Sequence, residues 1–187
     1  NLVLGAAGNI SLYCNLGGDY SFIHATIANY WKYGFRAGAA LQLDNTTLGG
    51  NSASALERAD FKNCIIYGSN PNELNLIKGE NSTFNADSET PASSKSTFNF
   101  YFENCLLKYR NNSENDLYNF GNSVNYHQML LNLDPEFVSP SQNIFLIQEN
   151  SSAVGAGNPV TAQSVPLDIL GIVRTINPTL GAFEVFF

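Results

Sequence analysis

Three seven-residue segments of the chain align with one another without a gap. They read FIHATIA at residues 22–28, FKNCIIY at 61–67 and FENCLLK at 102–108, so the pattern recurs after 39 and then 41 residues. The equivalent positions share a phenylalanine (Phe22, Phe61 and Phe102) and, two residues later, a histidine or asparagine (His24, Asn63 and Asn104). A repeat of this length is typical of a chain that stacks similar units on one another.

Each repeat predicts two short strands joined by a sharp corner. Asn and His tolerate the left-handed backbone region better than most residues, which suits His24, Asn63 and Asn104 to that corner. Beyond it, alternation along the strand points one set of side chains inward and the next set outward. The inward set is Ala25, Cys64, Cys105, Ile27, Ile66 and Leu107, and the outward set is Thr26, Ile65 and Leu106. Because strands stack about 4.8 Å apart, like residues would form ladders. We therefore predict an all-β fold, a parallel β-helix (β-solenoid) with long loop excursions and a C-terminal cap.

The segments between the repeats predict further strands and loops. Strands are expected at residues 2–4, 10–12, 40–43, 74–77 and 117–120, an exposed loop at 81–97 and a turn at 111–115. Apolar residues at helical spacing are scarce, and the best helical candidates are residues 52–58 and 127–131. We expect little helix.

The charge balance narrows the range of partners. Charged residues make up 13% of the 187 residues, and 16 Asp plus Glu against 9 Lys plus Arg give a net charge of -7. This argues against nucleic acid, because phosphate contacts need clustered Lys and Arg. The sequence shows no apolar run near the roughly 20 residues of a membrane span, and no signal peptide at its start. The length fits one domain.

The three cysteines predict no metal centre and no complete disulfide framework. Cys14, Cys64 and Cys105 are odd in number and lack the C-x-x-C spacing of a zinc site. A nucleophilic cysteine would need His24 or His127 beside it, and no neighbouring residue marks any of the three as activated. We expect buried free thiols, no cofactor and no catalytic cysteine.

The last third of the chain carries a series of short motifs. DPEFV at 134–138, IFL at 144–146, SSAVGAGNP at 151–159, PLDILGIVR at 166–174 and NPTLGAFE at 177–184 follow one another. This series resembles the closing segment of secreted bacterial right-handed parallel β-helix (pectate-lyase-like) repeat proteins, and the upstream repeats resemble their coils. The resemblance implies one domain, with core coils over about residues 1–150 and a closing segment over about 151–187.

The same resemblance carries expectations about context. It implies secretion or a cell-surface location, and a chain that forms the C-terminal part of a longer protein. Strand-like sequence from the first residues predicts that upstream coils or another subunit cover the N-terminal end.

Three charged residues of the closing segment are expected to brace a cap. A solenoid needs a terminal cap that covers apolar surface and stops edge-to-edge growth. Asp168 and Arg174 are predicted to form an ion pair that Glu184 joins, with a catalytic cluster as the alternative. Residues 185–187 are expected to finish as a strand on that cap.

Proteins of the family that the sequence resembles often handle polysaccharides, although a fold does not decide a function. We expect a non-catalytic extracellular or cell-surface module that serves as a scaffold or binds polysaccharide. The candidate sugar contacts are Tyr30, Trp31 and Tyr33, because aromatic rings stack on the faces of sugars. The same residues would also suit the half-buried edge of a coil.

An enzyme remains the alternative, as a polysaccharide lyase or glycoside hydrolase whose site lies partly in coils missing from this chain. A lyase needs a basic proton acceptor, for which Lys108 and Arg110 are candidates with Glu114 and Asp116 near them in sequence. A hydrolase needs carboxylates paired on neighbouring coils, which the repeats do not supply in register. A third reading is a β-sandwich lectin, in which the equivalent residues would not stack.

Overall fold

The fold is described by a computed structural model. It covers residues 1–5, 8–47, 52–83, 92–111, 114–174 and 176–185 of the chain. Short strands dominate, and the helical segments of these ranges are the 3-10 turns Asp116–Tyr118 and Pro140–Gln142 and the four-residue helix α1 (Pro159–Ala162). None of the described helices is long and apolar enough to cross a membrane.

The strands of the described ranges run in chain order as follows. They are β1 (Leu2–Leu4), β2 (Leu12–Cys14), β3 (Gly18–Ile23), β4 (Ala25–Asn29), β5 (Leu41–Asp44), β6 (Leu56–Lys62), β7 (Ile65–Gly68), β8 (Leu74–Ile77), β9 (Glu80–Thr83), β10 (Ala92–Lys95), β11 (Tyr101–Glu103), β12 (Leu106–Leu107), β13 (Tyr126–His127), β14 (Leu130–Leu131), β15 (Phe137–Ser139) and β16 (Ile144–Ile147).

Three parallel sheets stack these strands into coils. Sheet A has the order β1-β4-β7-β12-β14, sheet B the order β2-β5-β8, and sheet C the order β13-β11-β6-β3. Phe22 pairs with Phe61, and Phe61 with Phe102, in sheet C. The sequence repeat is therefore the structural coil, and the predicted parallel β-helix is confirmed. Because equivalent residues stack, the β-sandwich reading is wrong.

An aromatic ladder runs through the interior of the coils. The rings of Phe22 and Phe61 stack with centroids 5.0 Å apart, Phe61 and Phe102 at 4.9 Å, and Phe102 and Tyr126 at 5.6 Å. Cys64 and Cys105 lie in the same core and are free, as is the buried Cys14, which confirms the prediction of buried thiols. Burial raises the pKa of the Cys14 thiol to about 11 and that of Cys105 as well, so both stay protonated near neutral pH.

The outward residues of sheet A are buried by the C-terminal part of the chain. Ile65 and Leu106 are fully buried, in a second apolar cluster with Phe137 and Phe145 of the antiparallel β15–β16 hairpin and with Leu180. Thr26 is also fully buried, and its hydroxyl accepts a hydrogen bond from the backbone N–H of Ala182. The predicted closing segment thus lies along the flank of sheet A, and this covering layer begins at Phe137.

Both helical candidates are wrong. Residues 52–58 lead into β6, because Leu56, Ala59 and Phe61 supply the buried side chains of a strand that pairs with β3. Residues 127–131 contain a corner, since Gln128 has a φ of 51° between β13 and β14. Of the expected strands, residues 74–77 form β8, but residues 117–120 overlap a 3-10 turn. Asn115 caps this turn, since its side chain accepts a hydrogen bond from the Leu117 N–H.

Two antiparallel strands lie in the region where a long loop was predicted at 81–97. Strands β9 and β10 pair there, with Thr83 opposite Ala92. Residues 84–91, 112–113 and 186–187 lie outside the described ranges, so the middle of the loop expected at 81–97, the centre of the turn expected at 111–115 and the end of the strand expected at 185–187 stay predictions.

Candidate functional site

The corner between sheets C and A holds the three predicted ladder residues. His24, Asn63 and Asn104 have φ values of 52°, 53° and 46°, so each turns the chain sharply in the left-handed region. Gln128 makes the same turn in the last coil. The sequence signal for it was weak, because YHQMLL at 126–131 follows the third repeat after only 24 residues and lacks the phenylalanine and the asparagine.

The corner side chains join the solenoid to the closing segment. Asn63 accepts a hydrogen bond from the Asn158 N–H (2.7 Å) and donates to the Asn158 carbonyl (3.0 Å). Asn104 donates to the Ala156 carbonyl (2.9 Å), and the imidazole Nδ1 of His24 lies 3.2 Å from the Gly181 carbonyl. The corner amides thus form hydrogen bonds with backbone N–H and C=O groups of a segment more than 50 residues away in sequence.

His24 is held as a neutral imidazole. Its Nε2 lies 3.0 Å from the amide nitrogen of Asn63, which donates, so the proton is on Nδ1 and points at Gly181. Burial lowers the pKa of His24 to about 3, and the positive charge of Arg174 adds to the effect. In the unfolded chain the group returns to an ordinary pKa near 6.5.

We expect His24 to make the fold sensitive to acid. Between about pH 6.5 and pH 3 the unfolded chain binds a proton at His24 that the folded chain does not, so stability falls as pH falls, by about 1.4 kcal/mol per pH unit. His24→Asn keeps a residue that suits the corner and removes the titration. In urea denaturation at pH 7, 6 and 5, the wild-type protein should lose more stability than this variant. Equal losses in the two proteins would show that His24 is not the acid-sensitive group.

The three cap residues lie together and are buried. Arg174 pairs with Glu184 at 3.3 Å and donates to the Asn1 side chain at 2.6 Å. Asp168 accepts from the backbone N–H groups of Leu170 and Ile172 with one oxygen, and from that of Glu184 with the other. Through these contacts the Asp168 side chain binds backbone groups of the closing segment, and Arg174 connects that segment to Asn1. The ion pair is therefore Arg174–Glu184 and not the predicted Asp168–Arg174, because the Asp168 carboxylate is occupied by backbone N–H groups.

The predicted aromatic cluster is divided by the structure. Tyr30 packs under the β15–β16 hairpin, with its ring 6.1 Å from that of Phe137 and 6.2 Å from that of Phe145. Burial raises its pKa. Trp31 and Tyr33 make an edge-to-face pair at 5.3 Å, and 77% of Tyr33 is exposed. Tyr30 is therefore partly buried against the second apolar cluster, Trp31 is half-buried, and Tyr33 is exposed.

Sequence reasoning missed Phe35, which lies two residues after Tyr33 in the same loop and is 95% exposed. The signal was present, because Trp31, Tyr33 and Phe35 occupy every second position of one loop. Lys32 lies between the first two, with its ammonium 5.6 Å from the centre of the Tyr33 ring and 3.3 Å from the Ser141 carbonyl. We call Trp31, Tyr33 and Phe35 the aromatic loop.

A buried ion pair that the sequence did not predict anchors the end of this loop. The guanidinium of Arg36 makes two hydrogen bonds with the carboxylate of Glu73, at 2.5 and 2.9 Å, and both side chains are almost fully buried. Glu73 also accepts from the backbone N–H groups of Ala40 and Asn70, both at 2.8 Å. The loop is therefore held at one end by Tyr30 and at the other by Arg36.

The basic residues proposed for a lyase are only partly clustered. Lys108 donates to the Gly68 carbonyl at 2.6 Å and lies 5.1 Å from the centre of the Tyr67 ring. Burial lowers its pKa, while the charges of Glu73 and Asp134 oppose that shift. Arg110, Glu114 and Asp116 are exposed. In the ranges that the structure describes, no three His, Cys, Asp or Glu residues lie close enough to hold a metal ion.

Comparison with protein-family models, with curated proteins and with solved structures gave no match. The resemblance to pectate-lyase-like proteins therefore stays a prediction from the sequence motifs.

Proposed function

We propose that the chain is a non-catalytic module, extracellular or at the cell surface, that binds polysaccharide on a β-helix scaffold. The aromatic loop is the observation that carries this proposal. Two of its rings, Tyr33 and Phe35, are exposed over most of their surface, and apolar side chains exposed close together often mark a binding site. Aromatic faces suit the apolar faces of sugar rings.

The anchoring of the loop supports a binding role. Tyr30 packs in the apolar cluster under the hairpin, and Arg36 is fixed in its ion pair with Glu73. These anchors fix the backbone at both ends of the loop. Fixing the ends reduces the conformational entropy that the loop loses when a ligand binds.

The proposal predicts a loss of binding when the aromatic loop is truncated. Trp31→Ala and Tyr33→Ala should each weaken binding at least about tenfold, as expected for aromatic side chains at the centre of a contact. A glycan array identifies the ligand, and titration calorimetry measures the change. Tyr101→Ala, a half-buried tyrosine on sheet C, is the matched control and should bind normally. Unchanged affinity in both loop variants would contradict the proposal.

A polysaccharide lyase is the second candidate, favoured by the lowered pKa of Lys108. A lysine with a lowered pKa is present as the neutral amine in a larger fraction of molecules, and only the neutral amine can accept a proton. Incubation with acidic polysaccharides and an assay for unsaturated uronate products distinguish the two functions. Binding without turnover supports the module, whereas turnover that Lys108→Ala abolishes supports the lyase.

A further inference from the structure

A second surface feature, next to the aromatic loop, is a polar groove beside strand β8. It encloses about 370 Å³, within the range of small-molecule sites. Its lining includes Ala37, Asn72, Asn75, Tyr109, Asn111 and Tyr118. Ala37 belongs to the same connection between β4 and β5 as the aromatic loop, so the two features share one segment of chain.

The groove is built from side chains that the fold already orients. The side-chain oxygen of Asn72 accepts from the backbone N–H groups of Arg110 and Asn111, both at 3.0 Å. The amide nitrogen of Asn75 donates to the Gln42 side chain at 3.1 Å. The rings of Tyr109 and Tyr118 stack with centroids 4.7 Å apart. Amides and rings are thus fixed before any ligand arrives.

The buried ion pair fixes two walls of the groove with respect to each other. Arg36 immediately precedes the lining residue Ala37, and Glu73 immediately follows the lining residue Asn72. The hydrogen bonds between Arg36 and Glu73 therefore hold these two sides of the groove at a fixed separation. Asn70 adds to this by donating to the carbonyls of Arg36 and Gly38. The charges of Arg36 and Glu73 are used in this pairing and are buried away from the lining.

The lining is polar and uncharged. Its polar side chains are three asparagines and two tyrosines, which can donate and accept at the same site. The exposed acids Glu114 and Asp116 lie in the segment that carries Tyr118, and the whole chain has a net charge of -7. Arg110 is exposed between the lining residues Tyr109 and Asn111, but no cationic side chain is among the lining residues themselves, so the groove offers an anionic ligand no direct counter-charge.

We propose that this groove binds a neutral sugar unit of the polysaccharide that the aromatic loop contacts. The inference rests on the proposed function and adds the chemical class of the ligand. Vicinal hydroxyls present alternating donors and acceptors, which side-chain amides match. We expect a uronate unit to bind less well, because its carboxylate would meet no cationic side chain in the lining.

Two variants test the groove directly. Ala37→Trp places a large side chain on an exposed wall, and Asn75→Asp places a negative charge in the lining. The probes are neutral gluco-, manno-, xylo- and galacto-oligosaccharides on one side and oligogalacturonate on the other, measured by titration calorimetry. We expect a neutral oligosaccharide to bind, and each variant to weaken it at least tenfold. Ala55→Trp, at an exposed alanine before β6, should leave binding unchanged, and urea denaturation checks that every variant is folded.

The outcomes separate this inference from the proposed function. If Trp31→Ala abolishes binding while both groove variants bind normally, the polysaccharide module stands and the groove assignment is wrong. Preferential binding of oligogalacturonate overturns the neutral-sugar assignment. If no oligosaccharide or polysaccharide binds the wild-type chain, both proposals fail.

Discussion

Phe61→Ala is expected to destabilise the fold by about 3–5 kcal/mol, because it removes the centre of the aromatic ladder. Phe61 is fully buried and stacks on a ring on either side, Phe22 at 5.0 Å and Phe102 at 4.9 Å. Truncation loses the transfer free energy of the ring and leaves a cavity between two coils that cannot close without breaking the strand register. Urea denaturation followed by linear extrapolation measures the loss.

The matched control for this variant is Phe22→Ala, at the end of the ladder. Phe22 is half-buried and stacks on Phe61. We therefore expect a smaller loss, about 2 kcal/mol. If the two variants lost the same stability, the second stacking contact of Phe61 would contribute nothing measurable, and the prediction would be wrong.

Glu73→Gln should cost about 3–5 kcal/mol, because it leaves the guanidinium of Arg36 buried without its counter-charge. The side chains of Arg36 and Glu73 are 2% and 0% exposed, so water cannot replace the lost partner. The glutamine has nearly the same shape as the glutamate, so the loss reports charge more than packing. The same denaturation experiment measures it.

Asp19→Asn provides the comparison for an ion pair in water. Arg58 and Asp19 are 2.8 Å apart, but their side chains are 53% and 58% exposed. Solvent screening limits such a pair to about 1 kcal/mol or less. A loss for Glu73→Gln no larger than that for Asp19→Asn would contradict the view that the buried pair holds the loop and the groove together.

Residue type alone predicted the coil and its corner. His24, Asn63 and Asn104 are residue types that tolerate a positive φ, and this tolerance indicates a sharp turn regardless of the path of the following segment. Alternation after the corner likewise separates inward from outward positions, because successive side chains on any strand point to opposite faces. Backbone tolerance and alternation are local properties, so they could be read without knowing the rest of the fold. Sequence reasoning failed where the local pattern was ambiguous, as in the strand β6, whose start resembles a short helix.

The tertiary structure alone decided which outward positions meet water. Asn63 bonds to Asn158, 95 residues away, and Arg36 to Glu73, 37 residues away. No local pattern predicts such meetings, because they depend on which segment folds back across a sheet. That is why Tyr30 is partly buried against the second apolar cluster while its near neighbour Tyr33 is exposed. The sequence determined the repeating coil, and the path of the closing segment and the loops decided which of its faces could bind a ligand.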